Sequence, residues 1–156
     1  MIYCTSDLHL CHDRGFIYEP RGFKNIEEMN NTIVENWNSI VTNEDTVFIL
    51  GDLMLNDNEK GIELFNKLNG VKMIILGNHD TAARIELYKT LPNTVVLGYA
   101  DMLKYNGYHF YLSHYPTVTS NADDYEKPLK QRVLNLFGHT HDCRPFFHNH
   151  YTLYNV

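Results

Sequence analysis

The sequence predicts an α/β protein in which two β-sheets pack face to face with helices outside. Strand-like and helix-like segments alternate through the first half of the chain, which argues for a largely parallel sheet covered by helices. The second half turns β-rich, and Asn106-Gly107 between two strand-like runs is a strong hairpin signal, because both residues tolerate positive φ. Five apolar runs each finish in Asp, Asn or His, and in open α/β sheets that carboxyl edge is where ligands bind.

The first run, Ile2-Tyr3-Cys4-Thr5, ends in Ser6-Asp7-Leu8-His9. Cys11 to Lys24 carries Gly15, Pro20 and Gly22 and reads as a loop rising from the site. Arg14 and Arg21 on it are candidate phosphate clamps, with plain solvated charge as the simpler reading. From Asn25 to Ile40, the residues Ile26, Met29, Ile33, Trp37 and Ile40 recur at helical spacing and should line one buried face. Trp37 is therefore expected in the core. Thr46-Val47-Phe48-Ile49-Leu50 is the second strand and ends in Gly51-Asp52.

A helix from Glu59 to Leu68 should turn Ile62, Phe65 and Leu68 inward, with Gly70 just beyond its end. Val71-Lys72-Met73-Ile74-Ile75 follows as a buried strand and ends in Leu76-Gly77-Asn78-His79-Asp80. A third helix should run from about Thr81 to Leu91, stopped by Pro92, with Asp80 a candidate N-cap. Val95 to Leu97, Ala100 to Tyr105 and Tyr108 to Leu112 read as strands, the last ending in Ser113-His114. Pro116 to Gln131 is a polar excursion, a surface loop or short helix. Arg132 to Phe137 is a strand ending in Gly138-His139-Thr140-His141. The chain stops at Tyr154-Asn155-Val156, within a strand-like run.

At 156 residues the chain is expected to form a single domain, residues 1–156, with one sizeable core. No apolar run approaches a membrane span and no signal-peptide layout opens the chain. The net charge of −6 disfavours binding extended nucleic acid over a broad basic face, while leaving short oligonucleotides and cyclic nucleotides open. The cysteines Cys4, Cys11 and Cys143 show no paired spacing, and a reduced, cytoplasmic protein is the simplest expectation.

Nine histidines is the compositional oddity. His109, His148 and His150 read as scatter, but His9, His12, His79, His114, His139 and His141 fall at or just past strand ends. Asp7 and His9, two apart on an expected extended segment, should project to the same side. With Asp52, Asn78, His114, His139 and His141 they make seven candidate metal ligands. Mixed oxygen and nitrogen donors suit Mn, Fe, Zn, Ni or Co and fit an all-oxygen Ca site poorly. Seven ligands exceed the need of one ion, whereas two ions about 3.5–4 Å apart, sharing one carboxylate, would use all of them. One Asp-x-His alone is usually structural; five such strand ends in series point to a site.

The order Asp7-x-His9, Gly51-Asp52, Gly77-Asn78-His79-Asp80, Ser113-His114 and Gly138-His139-x-His141 resembles the calcineurin-like metallophosphoesterases, over nearly the whole chain. The opening Ser6-Asp7-Leu8-His9-Leu10-Cys11-His12 looks most like small bacterial and phage-type phosphoesterases, in which His12 would lie near the substrate phosphate. The resemblance implies a four-layer α/β/β/α sandwich of two mixed sheets with a dinuclear centre of divalent ions, manganese foremost. One ion would take Asp7, His9, Asp52 and His141, and the other Asp52, Asn78, His114 and His139, with Asp52 bridging. A bridging hydroxide would attack phosphorus, His79 would serve the leaving group, and Asp80 would orient His79 or cap the next helix. Protein phosphatases of this kind carry an Asp and an Arg after their Gly-Asp. Here Leu53-Met54-Leu55-Asn56 has neither, which favours phosphodiesters. The alternatives are a small-molecule or nucleotide phosphomonoesterase, a nuclease of the same superfamily, and a non-catalytic metal-binding scaffold. Relatives commonly continue past such a final strand, so the chain is expected to be a compact or a shortened version.

Overall fold

A computed structural model describes residues 1–122, 124–142 and 144–156. The first half runs β1 (Ile2–Thr5), α1 (Gly15–Tyr18), α2 (Ile26–Ile40), β2 (Thr46–Leu50), α3 (Asn58–Asn66), β3 (Val71–Ile75), α4 (Ala82–Tyr88) and β4 (Thr94–Gly98). These four strands form one sheet in the order β1-β2-β3-β4, parallel throughout. The chain crosses to the second sheet at Gly98 (φ 105°), the junction between β4 and β5 (Ala100–Tyr105). That sheet continues with β6 (Tyr108–Ser113), β7 (Val133–Phe137) and β8 (Leu153–Asn155) in the order β5-β6-β7-β8. It is mixed: β5 and β6 are antiparallel, while β6, β7 and β8 are parallel. The β5–β6 hairpin turns at Asn106 (φ 49°) and Gly107 (φ 80°), as the Asn-Gly signal requires.

Two-residue alternation along the central strands divides the core. In β2, Val47 and Ile49 face the helices with Ile74 of β3, joined by Trp37, Phe65, Leu68 and Tyr88. Phe48 and Leu50 face the other way, packing with Ile75 against Leu112, Phe110 and Leu136 of the second sheet. Both faces of the central strands are thus covered, which is why their sequences read as unbroken apolar runs. Lys72 is buried within this core. Its Nζ donates to the Leu68 carbonyl at 2.9 Å and lies over the Phe65 ring at 5.2 Å.

The helices begin where side chains can take up free backbone N–H groups. Asn25 accepts from the Glu28 amide at 2.9 Å before α2, while the Glu28 carboxylate accepts from the Lys24 amide. Asp57 accepts from the Lys60 amide at 3.0 Å before α3. On α2, Met29 and Trp37 are buried, and the Trp37 indole donates to the Asn69 carbonyl at 3.0 Å. Ile40 departs from the helical pattern: it is 62% exposed, and Val41 turns inward at the helix end in its place. The one-turn α1 lies within the segment expected to be loop.

The outer side of the second sheet carries no α-helix among the described residues. The Pro116 to Gln131 excursion lies against β7 and ends in a 3₁₀ turn at Leu129–Gln131; a second such turn spans Phe147–Asn149. Thr119 Oγ1 donates to the Val133 carbonyl at 2.6 Å, and the buried Asn135 accepts from the Thr117 amide at 2.7 Å. Cys4 and Cys11 are free thiols, and Cys143 lies outside the described residues. No helix among the described residues is long and apolar enough to cross a membrane.

The two faces of the helical layer should respond differently to truncation. Phe65→Ala is expected to cost about 3–5 kcal/mol, because it empties a fully buried site. Ile40→Ala should stay within about 0.5 kcal/mol. Urea unfolding midpoints at unchanged m-value provide the measurement.

Candidate metal centre

The candidate ligands lie where five strands stop. Asp7 and His9 follow β1, Asp52 follows β2, Asn78 and His79 follow β3, His114 follows β6, and His139 and His141 follow β7. The segment after β1 is not extended. Asp7 (φ 51°) and His9 (φ 49°) are left-handed, as are Asp52 (φ 56°), His139 (φ 68°) and His141 (φ 50°). Such conformations are uncommon for residues other than glycine and cluster at functional sites. Two left-handed residues, not strand alternation, place the carboxylate of Asp7 and the ring of His9 in one cluster. The segment is held alongside its neighbour by backbone hydrogen bonds from Asp7 to Gly51, His9 to Asp52 and Leu10 to Leu53, each 3.0 Å.

Two groups of donor atoms result. In the first, His9 Nε2 lies 3.1 Å from His141 Nε2 and 3.6 Å from Asp7 Oδ1, and His141 Nε2 lies 3.3 Å from Asp7 Oδ1. In the second, Asn78 Oδ1 is 2.9 Å from His114 Nε2 and 3.0 Å from His139 Nδ1, which are 3.2 Å from each other. Asp52 Oδ2 stands between them, 3.8 Å from His9 Nε2 and 3.5 Å from His114 Nε2. Around an ion with bonds of about 2.0–2.2 Å, adjacent ligands fall roughly 3.0–3.5 Å apart, which most of these separations match, the His9 contacts with Asp7 and Asp52 being slightly longer.

The donor chemistry fits as well. Asp7 Oδ1 is buried without a hydrogen-bond partner, the kind of orphaned acceptor that a cation would satisfy. His114 Nδ1 lies 2.9 Å from the Leu50 carbonyl. A neutral ring that donates there turns the lone pair of Nε2 towards Asn78 Oδ1, a second acceptor. Two acceptors at 2.9 Å repel unless positive charge lies between them. Burial lowers the His9 and His139 pKa values, which favours the neutral imidazoles that metal binding needs. Burial opposes ionisation of Asp7, but the adjacent His141 and His9 rings, Ser6 and the His139 amide, which donates to Oδ2, outweigh it and hold the carboxyl far below its usual range.

Three glycines let these groups approach. A Cβ on Gly51 would strike the His114 ring, one on Gly77 the Asp52 carboxylate, and one on Gly138 the Asp7 carboxylate. Gly51 also has φ 89°. The carboxylate of Asp80 ties two strand ends together. It accepts from the amides of Gly77 at 2.8 Å, Asp52 at 3.0 Å and Leu53 at 3.4 Å, and from the Tyr88 hydroxyl at 2.8 Å. Asp80 therefore neither orients the His79 ring nor caps α4, whose N-cap is Thr81. It is a backbone clamp, and the catalytic assignment is corrected.

His79 stands 42% exposed at the cleft, its Nε2 3.9 Å from Asp52 Oδ2 and its amide donating to Asp52 Oδ1 at 2.9 Å. His12 is buried beside it, with Nδ1 3.1 Å from His9 Nδ1. Burial first, then the neighbouring His9, His79, Arg14 and Arg21, brings its pKa down to about 4. The cleft measures about 300 Å³ and is lined by His9, His12, Asp52, Asn78, His79, His139 and His141 with Phe16 and Ile17. Neither arginine lines it. Arg14 faces a separate cavity beside Cys11, Asn30 and Lys60. Arg21 donates through Nη2 to the Asp7 carbonyl at 2.9 Å, so it braces the ligand loop. The phosphate-clamp expectation gives way for both.

Sequence reasoning missed two residues. Arg84 donates to the His79 carbonyl at 2.7 Å and to Asn58 Oδ1 at 2.9 Å, linking the loop to the start of α3. Tyr115 sets its ring against His139 (4.7 Å between centroids) and His114 (5.1 Å). Neither carries a sequence signal: Arg84 reads as one more charge on a helix, while Tyr115 has only its place beside His114.

Comparison with known proteins supplies the context. The profile of the calcineurin-like phosphoesterases matches residues 1–154. An uncharacterized protein of Methanocaldococcus jannaschii is 40% identical over 126 residues, 78% of this chain and 64% of that protein. The Gene 66 protein of Mycobacterium phage L5 is 39% identical over 80 residues, 49% of this chain and 38% of its own length. The chain thus spans less than two thirds of either relative. The phage D29 Gene 66 protein is 28% identical over 161 residues, covering 90% of this chain and 78% of its own length. Among solved structures, a protein of unknown function from Aquifex aeolicus shares the fold with a TM-score of 0.71 at 24% identity, covering 100% of this chain and 88% of that one. An archaeal phosphodiesterase shares it with a TM-score of 0.57 at 21% identity, covering 99% of this chain and 81% of that one.

Protein loaded with Mn is expected to hold two ions per chain by elemental analysis. Asp52→Asn should lower occupancy of both, His9→Ala chiefly of one, and Gly77→Ala should lower binding by crowding Asp52 without removing a ligand. A single ion in fully loaded protein would exclude the paired arrangement.

Proposed function

The chain belongs to the calcineurin-like phosphoesterase family, and we propose that it hydrolyses phosphate esters, diesters in preference to monoesters, in the histidine-lined cleft. The observation that carries this reading is the convergence of seven donor side chains from five strand ends into two adjacent groups, one around the unpartnered Asp7 Oδ1 and the other around Asn78, His114 and His139, with Asp52 between them. Asp7, His9 and His141 would hold one divalent ion and Asn78, His114 and His139 another, with Asp52 Oδ2 shared; manganese suits this donor set, as do Fe, Zn, Ni and Co. When bound, such ions supply charge neutralisation at a phosphoryl group and an activated water at neutral pH.

The protein's own groups do the rest. The Leu50 carbonyl fixes the His114 ring, and the Asp80 clamp fixes the backbone of Asp52 and Gly77, so the donors meet the substrate already placed. His79, half exposed at the cleft, is positioned to give a proton to the departing oxygen. His12 has one ring nitrogen at His9 and offers the other to a phosphoryl oxygen.

Substrate charge sets the preference between ester classes. Among the described residues, no lysine or arginine lines the cleft. A monoester dianion would have no fixed side-chain cation to meet its extra charge, whereas a diester monoanion needs less compensation. The net charge of −6 likewise disfavours long nucleic acid as substrate.

With Mn present, a phosphodiester should be turned over faster than the monoester with the same leaving group; the reverse order would overturn the ranking. Loss of His79 separates chemistry from binding. His79→Ala should keep its metal content yet slow hydrolysis of an alkyl diester by roughly 10²–10⁴-fold. A nitrophenyl diester should suffer much less, because nitrophenolate departs without a proton. Equal slowing on both substrates, or loss of an ion, would place the acid elsewhere.

A further inference from the structure

His79 is held through its backbone and not through its ring. Its N–H donates to Asp52 Oδ1 at 2.9 Å, and its carbonyl accepts from Arg84 Nη1 at 2.7 Å and from the Thr81 amide at 3.1 Å. The peptides on both sides of its Cα are therefore pinned. The ring makes no hydrogen bond among the described residues and meets only the His9 and His12 rings, at 5.7 and 5.9 Å between centroids. Where it stands in the cleft thus follows from where its backbone is fixed.

Arg84 is the pin that belongs neither to the donor set nor to the loop. It lies on α4 one turn before Tyr88, so the two side chains share a face of the helix. Tyr88 holds the Asp80 carboxylate at 2.8 Å, and Arg84 holds the carbonyl of the residue before it. One helix face thus grips two successive residues of the loop. The half-buried guanidinium is itself aimed, because its Nε donates to Asn58 Oδ1 at 2.9 Å, on the first residue of α3. Its two bonds reach two oxygens from one rigid fork, which the single ammonium of a lysine cannot reproduce. Arg84 does not line the cleft, so its route to a substrate runs through His79.

We propose that Arg84 is a positioning residue for His79, and that the chain from Asn58 through Arg84 sets how well the departing oxygen is served. The inference rests on the leaving-group role given to His79 above. It divides the loop between two tasks: Asn78 faces the ion, while α4 aims the next residue at the substrate.

Arg84→Met, Arg84→Lys and Asn58→Ala test it on the Mn-loaded protein beside His79→Ala. The readouts are metal content, the urea unfolding midpoint and the kinetics of an alkyl and a nitrophenyl diester. Misplacing a reacting group by about 1 Å can cost up to roughly a hundredfold. Arg84→Met should keep its metal content and lose about ten- to a hundredfold in kcat on the alkyl diester, with KM nearly unchanged and the nitrophenyl diester barely slowed. Arg84→Lys should recover part of that loss, since it can still reach the carbonyl. Asn58→Ala should show a smaller loss with the same selectivity, and it carries the test if Arg84→Met fails to fold. Adding Arg84→Met to His79→Ala should slow the alkyl diester no further, because residues that act as a unit are not additive. No loss in Arg84→Met, equal slowing of both esters, loss of an ion, or additive losses in the double variant would overturn the positioning role. His79 would keep its own role in those cases as long as His79→Ala alone hurts the alkyl diester selectively. If His79→Ala shows no such selectivity, both readings fall.

Discussion

Everything at the centre depends on the carboxylate of Asp80, which never touches the proposed chemistry. It gathers the amides of Gly77, Asp52 and Leu53 and the hydroxyl of Tyr88. Charge-assisted bonds of this kind are stronger than neutral ones, and here they join the ends of two neighbouring parallel strands. Asp52 can then stand between two donor groups, and Gly77 can pass its carboxylate with no side chain in the way. Burial and the adjacent negative charge push the Tyr88 hydroxyl pKa upward, so it stays a donor across the working pH range.

Holding the donors together carries a conformational cost. Asp7, His9, Asp52, His139 and His141 all adopt left-handed backbone. Each such residue costs of order 1–3 kcal/mol, and the structure sustains it only because neighbouring hydrogen bonds over-determine the loop. The bonds from Asp7, His9 and Leu10 to the Gly51–Leu53 segment do this on one side, and the Arg21 contact with the Asp7 carbonyl does so on another. The strain and the bracing come as a set, and removing a brace is equivalent to weakening a ligand.

Much of this was legible in the sequence because the signals were local. Apolar runs stopped by Asp, Asn or His marked the strands and the donors, Asn106-Gly107 marked the hairpin, and helical spacing placed Met29, Trp37 and Phe65 inside. What escaped was decided by distance in space. Asp80 sits next to His79 in sequence, yet its carboxylate faces Asp52 and Tyr88. Arg14 and Arg21 looked equivalent on one loop, but one lies against a separate cavity and the other under Asp7. Ile40 fits the helical period but falls where α2 ends, so Val41 is buried instead. Left-handed histidines and aspartates leave no mark in a sequence, since these residue types are still found far more often in right-handed or extended backbone.

The two sheets contribute unequal halves of the donor set. Asp7, His9, Asp52 and Asn78 come from the sheet that carries the helices, and His114, His139 and His141 from the other. Neither sheet alone presents a full set for either ion, and the seam between them is otherwise closed by side chains such as Leu50, Ile75 and Leu112. A cation held there would therefore act as a rivet through the seam, fastening two sub-assemblies that are otherwise joined by apolar contact. Removing such an ion would weaken the contact between the sheets rather than either sheet by itself.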